Sequence, residues 1–222
     1  MTDSPRGSRP LSVPEEPIAF FGAVTAATTH DLNNVISIID QTAGLLEDLV
    51  FAAENGSSIE IEQLSRVSES IQRQTRRGIA TIKRLNRFAH TTDEPTLEFE
   101  LNETLENLLV LVQRLADRRE VDLKVTPRHE PIKLTASPFL IQHAIFAVYA
   151  SLLRVSEAGT ELSVSVSGGA AAAVVTFDLG SASGASPDLT VAQSLAESVG
   201  MRLETESGVD TLTVTLYIEN GP

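Results

Sequence analysis

The chain has 222 residues, 42% of them hydrophobic, with 17 Lys and Arg against 30 Asp and Glu, a net charge of -13 and no cysteine. That length and apolar content suit one or two domains with a substantial core, and the acidic balance argues against nucleic-acid binding, which requires a basic surface. Without cysteine there is neither a disulfide nor a thiolate metal site, and the four histidines have no ligand-like spacing.

Residues 1–16, polar and rich in proline, read as a disordered lead with no apolar signal-peptide core. No apolar run approaches the roughly 20 residues that cross a bilayer, so the expectation is a cytoplasmic protein without membrane contact. From Pro17 a long helix is predicted, because Phe21, Val24, Thr28, Leu32, Val35 and Ile39 recur at spacings of three and four and the stripe continues through Ala43 and Leu46 to Val50. Asn55-Gly56 signals its end. Ser57 with Glu60 reads as a capping box opening a second helix, whose seam runs from Ile61 and Leu64 through Ile71, Ile79 and Ile82 to Ala89. Two antiparallel helices with narrow stripes cannot bury themselves alone. A second copy would complete a four-helix bundle, so a homodimer is expected.

His30 stands two residues before Leu32, about 200° round the helix, and so faces away from the stripe. Asn34, one turn on, shares its face, and Asp31 lies beside it. A neutral imidazole can attack phosphorus, and an adjacent carboxylate can accept the N–H of the other ring nitrogen and fix the tautomer. The run His30 to Ile39, HDLNNVISII, resembles the phosphoacceptor box of two-component histidine kinases, in the variant with Asn four residues after His. The resemblance makes His30 the phosphate acceptor, Asp31 its orienting carboxylate and Asn34 the amide that orients water against a receiver's aspartyl phosphate. On the second helix, Arg66, Arg73, Arg76, Arg77, Lys83, Arg84 and Arg87 form a basic strip. It reads as a solvated face that balances nearby Glu, or as a docking rim for an acidic partner such as a receiver domain.

A linker at Thr91–Pro95 closes the hairpin domain, residues 17–92, and residues 96–219 alternate helix and strand. Helices are predicted over 101–118, 138–155 and 192–199. Strands are predicted over 121–125, 161–167 and 172–177, with a closing hairpin of 201–206 and 211–218. Helices beside a mostly antiparallel sheet make an α/β sandwich. In order and spacing this half resembles the ATP-binding domain of histidine kinases, so the resemblance spans roughly residues 17–218.

The departures are as informative. Phe146 and Ala150 stand where the family carries the asparagines that hold Mg²⁺ and phosphate. Asp178-Leu179-Gly180-Ser181-Ala182 keeps part of the first glycine box, and no glycine follows Gly184 before the helix near Ala192, so the second box is missing. His143 reads as a core or surface histidine, His90 and His129 as residues of a helix end and a loop, and Gly168-Gly169 as a turn between strands. An intact nucleophile helix with eroded ATP machinery resembles the ChpT-like dimeric histidine phosphotransferases. That resemblance implies an antiparallel helical hairpin forming a dimeric four-helix bundle, followed by a degenerate ATPase-like α/β sandwich. It also implies phosphate transfer between receiver-domain aspartates through His30, with Mg²⁺ on the partner receiver and no cofactor or metal held by this chain. A divergent sensor kinase, a receiver phosphatase and a non-catalytic dimeric scaffold stay open as alternatives, told apart by nucleotide binding and by receiver-dependent transfer.

Overall fold

A proline in the first turn and an extended Glu16 start helix α1, Pro17–Glu54, and Gly56, at φ +87°, ends it just past the Asn55 cap. Helix α2, Ile61–His90, begins three residues later than the Ser57 capping box predicts. Glu60 is the N-cap, and its own N–H donates to the Gln63 side chain at 3.2 Å. The Glu–Gln pair serves because side-chain oxygens of either kind can meet the free N–H groups of a first turn. The computed structural model describes residues 11–126, 130–169, 172–180, 186–208 and 211–219.

α1 and α2 form a helical hairpin, and the face of α2 buried within one chain differs from the stripe that the periodicity assigns to a bundle of two copies. Val67, Gln74, Gly78 and Phe88 are buried, with Val35 so close that a Cβ on Gly78 would lie 3.3 Å from its Cγ1. Ile61, Leu64, Ile79 and Ile82 are exposed instead. On α1 the predicted stripe divides in the same way: Val24, Thr28 and Val35 are buried, whereas Ala43 and Val50 are exposed. Periodicity marks apolar positions without saying which neighbour covers them, and these helices carry more apolar surface than one hairpin can bury.

The second half runs β1 (Leu97–Glu100), α3 (Leu101–Asp117), β2 (Asp122–Thr126), β3 (Lys133–Ala136), α4 (Pro138–Val155), β4 (Glu161–Gly168), β5 (Ala172–Gly180), α5 (Thr190–Ser198), β6 (Met201–Ser207) and β7 (Thr211–Glu219). Five strands form one sheet in the order β2-β4-β5-β7-β6, antiparallel except for the parallel β2–β4 pair. β1 and β3 make a separate two-stranded pair that the sequence reading did not assign, with Leu97 opposite Ala136. Alternation along β5 and β7 buries Val175, Phe177, Val214 and Leu216 in the same core as α3, α4 and α5. Gly168, at φ +101°, turns β4 toward β5, and a Cβ there would strike the Ala172 carbonyl.

α4 lies at the centre of this core. Its 18 residues are apolar and long enough by composition to cross a membrane. Within the protein 78% of it is buried, which fits a core helix apolar all round. The lead predicted to be disordered through residue 16 also packs here: Leu11 and Val13 lie half-buried against the core, and the Pro14 carbonyl accepts a hydrogen bond from His143 Nε2 at 2.8 Å. Two apolar side chains and one buried donor anchor a segment whose average composition is polar. Residues 1–10 lie outside the described residues.

Phe20 on α1 joins the two halves. Its ring centroid is 5.5 Å from Phe88 on α2, and 5.2 and 5.3 Å from Phe139 and Phe146 on α4. Truncating such a fully buried ring typically costs about 3–5 kcal/mol.

Candidate functional site

His30 is exposed on α1, Asn34 is exposed one turn later, and Asp31 is half-buried between them and the neighbouring helices. The predicted trio therefore shares one region of one helix. Among the described residues, the hydrogen bond to the His30 ring comes from elsewhere: Arg114, in the last turn of α3, approaches His30 Nε2 with its Nη2 at 2.8 Å. Arginine only donates, so Nε2 is the acceptor and a neutral ring carries its proton on Nδ1. Asp31 instead lines a cleft of about 250 Å³ between α1, α2 and α3, together with Thr28, Arg77, Thr81, Arg84, Gln113 and Asp117.

α3 is held against the hairpin by specific contacts. Asn107 Nδ2 donates to the Arg84 carbonyl at 3.2 Å, and Arg87 pairs with Glu103. On its other side the buried Tyr149 hydroxyl of α4 donates to the Val112 carbonyl at 3.2 Å, and burial pushes that phenol's pKa well up. The sequence reading missed Arg114 because 84 positions separate it from His30 and only the docking of α3 brings them together. A basic residue in the last turn of a helix is also unremarkable in itself, since it complements the helix dipole.

The basic strip is partly structural. Arg87 pairs with Glu103 and Arg76 bonds the Gln72 carbonyl, whereas Arg77 and Arg84 line the cleft beside Asp31. Exposed pairs such as Arg87–Glu103 contribute at most about 1 kcal/mol.

The residues present do not fit a magnesium–nucleotide site at the two positions where the sequence resemblance implies asparagine. Phe146 is 1% exposed and Ala150 0%, both closed into the core, and neither side chain has an oxygen to ligate a cation. Asp178 lies between buried Phe177 and Leu179, so it points to the opposite face of the sheet, where Thr213 donates to its Oδ1 at 2.6 Å. It is a strand residue there. Ser181, Ala182 and Gly184 fall outside the described residues, as does His129. His90 bonds Asp93 at 2.8 Å at the end of α2, and His143 is a core histidine. Among the described residues no cluster of His, Asp and Glu has the geometry to hold a metal ion.

No family model and no curated protein matches the sequence. Solved structures do. The histidine kinase ThkA in complex with the response regulator TrrA is similar over 92% of this chain and 63% of that one, at 15% identity and a TM-score of 0.50. A bacterial phosphotransferase is similar over 94% of this chain and 100% of its own, at 14% identity and a TM-score of 0.50. The isolated catalytic domain of ThkA is covered in full by 58% of this chain, at 13% identity and the same TM-score. The fold is that of a histidine kinase. Its helical hairpin and ATPase-like α/β half are both present, and at these identities the likeness is one of fold.

Proposed function

We propose that this chain is a histidine phosphotransferase of a two-component phosphorelay, taking phosphate from the aspartate of one receiver domain onto His30 and passing it to another. The observation that carries this reading is an exposed histidine on the hairpin of a histidine-kinase fold whose α4 closes Phe146 and Ala150 into the core. A nucleophile remains accessible where the residues for a nucleotide do not.

The chemistry asks little of the chain. The lone pair on a ring nitrogen of His30 attacks the phosphorus of a receiver's acyl phosphate. The P–N bond forms as the P–O bond to the aspartate breaks, and the carboxylate leaves with its electron pair. The return step is the reverse on a second receiver. Catalysis is then alignment, with Mg²⁺ and the acidic pocket belonging to the receiver. Asp31 is assigned the acceptor for the N–H of the other ring nitrogen, and Asn34 the amide that orients water when a receiver is dephosphorylated instead. Arg77 and Arg84 would attract the acidic rim of a receiver by steering its approach.

The protein acts as a homodimer in this reading, in the cytoplasm. The exposed Ile36, Ile79 and Ile82 supply a second apolar face, and large exposed apolar surfaces on a soluble chain mark interaction sites. The α/β half serves as docking surface. A solved neighbour of the same fold is bound to a response regulator, which favours receivers as partners.

The test is a panel of receivers, each phosphorylated with labelled phosphate and mixed with the protein. Label should pass from one receiver to the protein and from there to a second receiver that the first does not phosphorylate directly. Uptake of label from Mg-ATP without a receiver would favour the sensor-kinase alternative.

A further inference from the structure

We propose that Arg114 is the positioning residue of the His30 imidazole, holding the lone pair on Nε2 before transfer and the phosphoryl oxygens after it. The inference deepens the phosphate-carrier reading and rests on it. It starts from the Arg114 Nη2 to His30 Nε2 contact of 2.8 Å. Because a guanidinium has five donors and no acceptor, this bond exists only when Nε2 is unprotonated. Arg114 thereby selects the nitrogen that attacks: in the neutral ring it keeps the proton on Nδ1 and the nucleophilic pair on Nε2.

The donor comes from a fixed support. Leu111 and Val112 are buried on the same helix, Asn107 ties α3 to the Arg84 carbonyl, and Tyr149 ties it to α4. The neighbouring residues Leu111 and Gln113 of α3 line the cleft that Asp31 shares with Arg77 and Arg84.

Transfer changes what Arg114 faces. When Nε2 forms its bond to phosphorus, the lone pair is consumed and the first hydrogen bond is lost. No proton moves at Nε2, and the receiver carboxylate leaves with the P–O electron pair. The phosphoryl oxygens then lie two bonds beyond the former acceptor, and a planar fork of N–H groups can take two of them at once. A bond to a neutral nitrogen is exchanged for bonds to an anion, so α3 stays tied to α1 and phosphohistidine is protected against hydrolysis.

The experiment uses the full chain and two readouts. Long-range proton–nitrogen spectra of ¹⁵N-histidine-labelled protein report the His30 tautomer. Phosphoramidate then serves as a small-molecule donor, releasing ammonia as the P–N bond to His30 forms, and the decay of phosphohistidine is followed. Wild type should show the Nδ1–H tautomer, and Arg114→Ala a mixture of both. The half-life of phosphohistidine should fall about tenfold in Arg114→Ala, the size expected for one charge-assisted bond near the surface. Arg114→Lys keeps the charge but not the fork, and should recover part of the loss. An unchanged tautomer, or the same decay in all three proteins, overturns the proposal. Failure of wild-type His30 to take phosphate overturns the carrier reading itself, and the proposal with it.

Discussion

His143 and Phe20 stack face to face, with ring centroids 4.7 Å apart and planes 5° from parallel. One ring comes from α4 and the other from α1, so this contact is one of those joining the α/β half to the helix that bears His30. The histidine also donates from Nε2 to the Pro14 carbonyl, which fastens the segment preceding α1. The entry to α1 is thus held by a buried titratable group.

Stability should therefore fall on mild acidification. Burial holds the His143 pKa below its ordinary value, although the Pro14 carbonyl and the Glu16 carboxylate pull in the opposite direction. In the unfolded chain the imidazole takes up a proton near pH ~6.5. Its contribution is complete above that pH and is lost as the pH falls through the lower folded value, because the unfolded state binds the proton more tightly. Between about pH 7.5 and 5.5, wild type should lose more Tm than His143→Gln, which keeps a donor but does not titrate. Equal losses would contradict this.

The second apolar face of the hairpin predicts a dimer. Ile82 is 48% exposed in one chain, so Ile82→Asp should change the stability of an isolated protomer by only about 0.5 kcal/mol. In a bundle of two chains it buries an unpaired charge, at a cost of several kcal/mol. Light scattering should report a dimer for wild type and a monomer for the variant. A dimeric variant would move the interface elsewhere.

Mg-ATP should give a flat calorimetric titration, because Phe146 and Ala150 are sealed in the core of α4 and offer no ligand oxygen. A saturable micromolar heat, with label appearing on the protein, would show that other residues have taken over the nucleotide's contacts.

Asn34→Ala should leave phosphate transfer through His30 within a few-fold of wild type, since the amide does not hold the nucleophile. Water-dependent loss of phosphate from a receiver should slow by ~10-fold or more, the scale of losing one group that positions a reactant. Equal dephosphorylation by both proteins would remove Asn34 from the site.

Much of the fold was legible in the sequence because its signals are local. The Asn55-Gly56 stop, the Pro138 start of α4 and the alternation of β5 and β7 each act over a few residues. β1 and β3 were not assigned, since four residues give alternation too little length, even in Leu97-Glu98-Phe99-Glu100. The capping box was misread by three residues because Ser57 looks like a better cap than Glu60. Periodicity marks Ile61, Ile79 and Ile82, which outrank Gln74 and Gly78 in hydropathy, but it does not show the face used within one hairpin, where the small Gly78 lets α2 approach Val35. At the site, His30, Asp31 and Asn34 could be grouped by helical geometry alone. Arg114 could not, because its relation to His30 is created by tertiary packing.

The central claim is that His30 carries the phosphate, and replacing His30 by Gln tests it most directly. Gln keeps much of the helix propensity and size but lacks the nucleophilic ring nitrogen. Mixed with a phosphorylated cognate receiver, wild type should become labelled, whereas His30→Gln should stay unlabelled while still dimerising and binding the receiver. Label on the Gln variant would contradict the account.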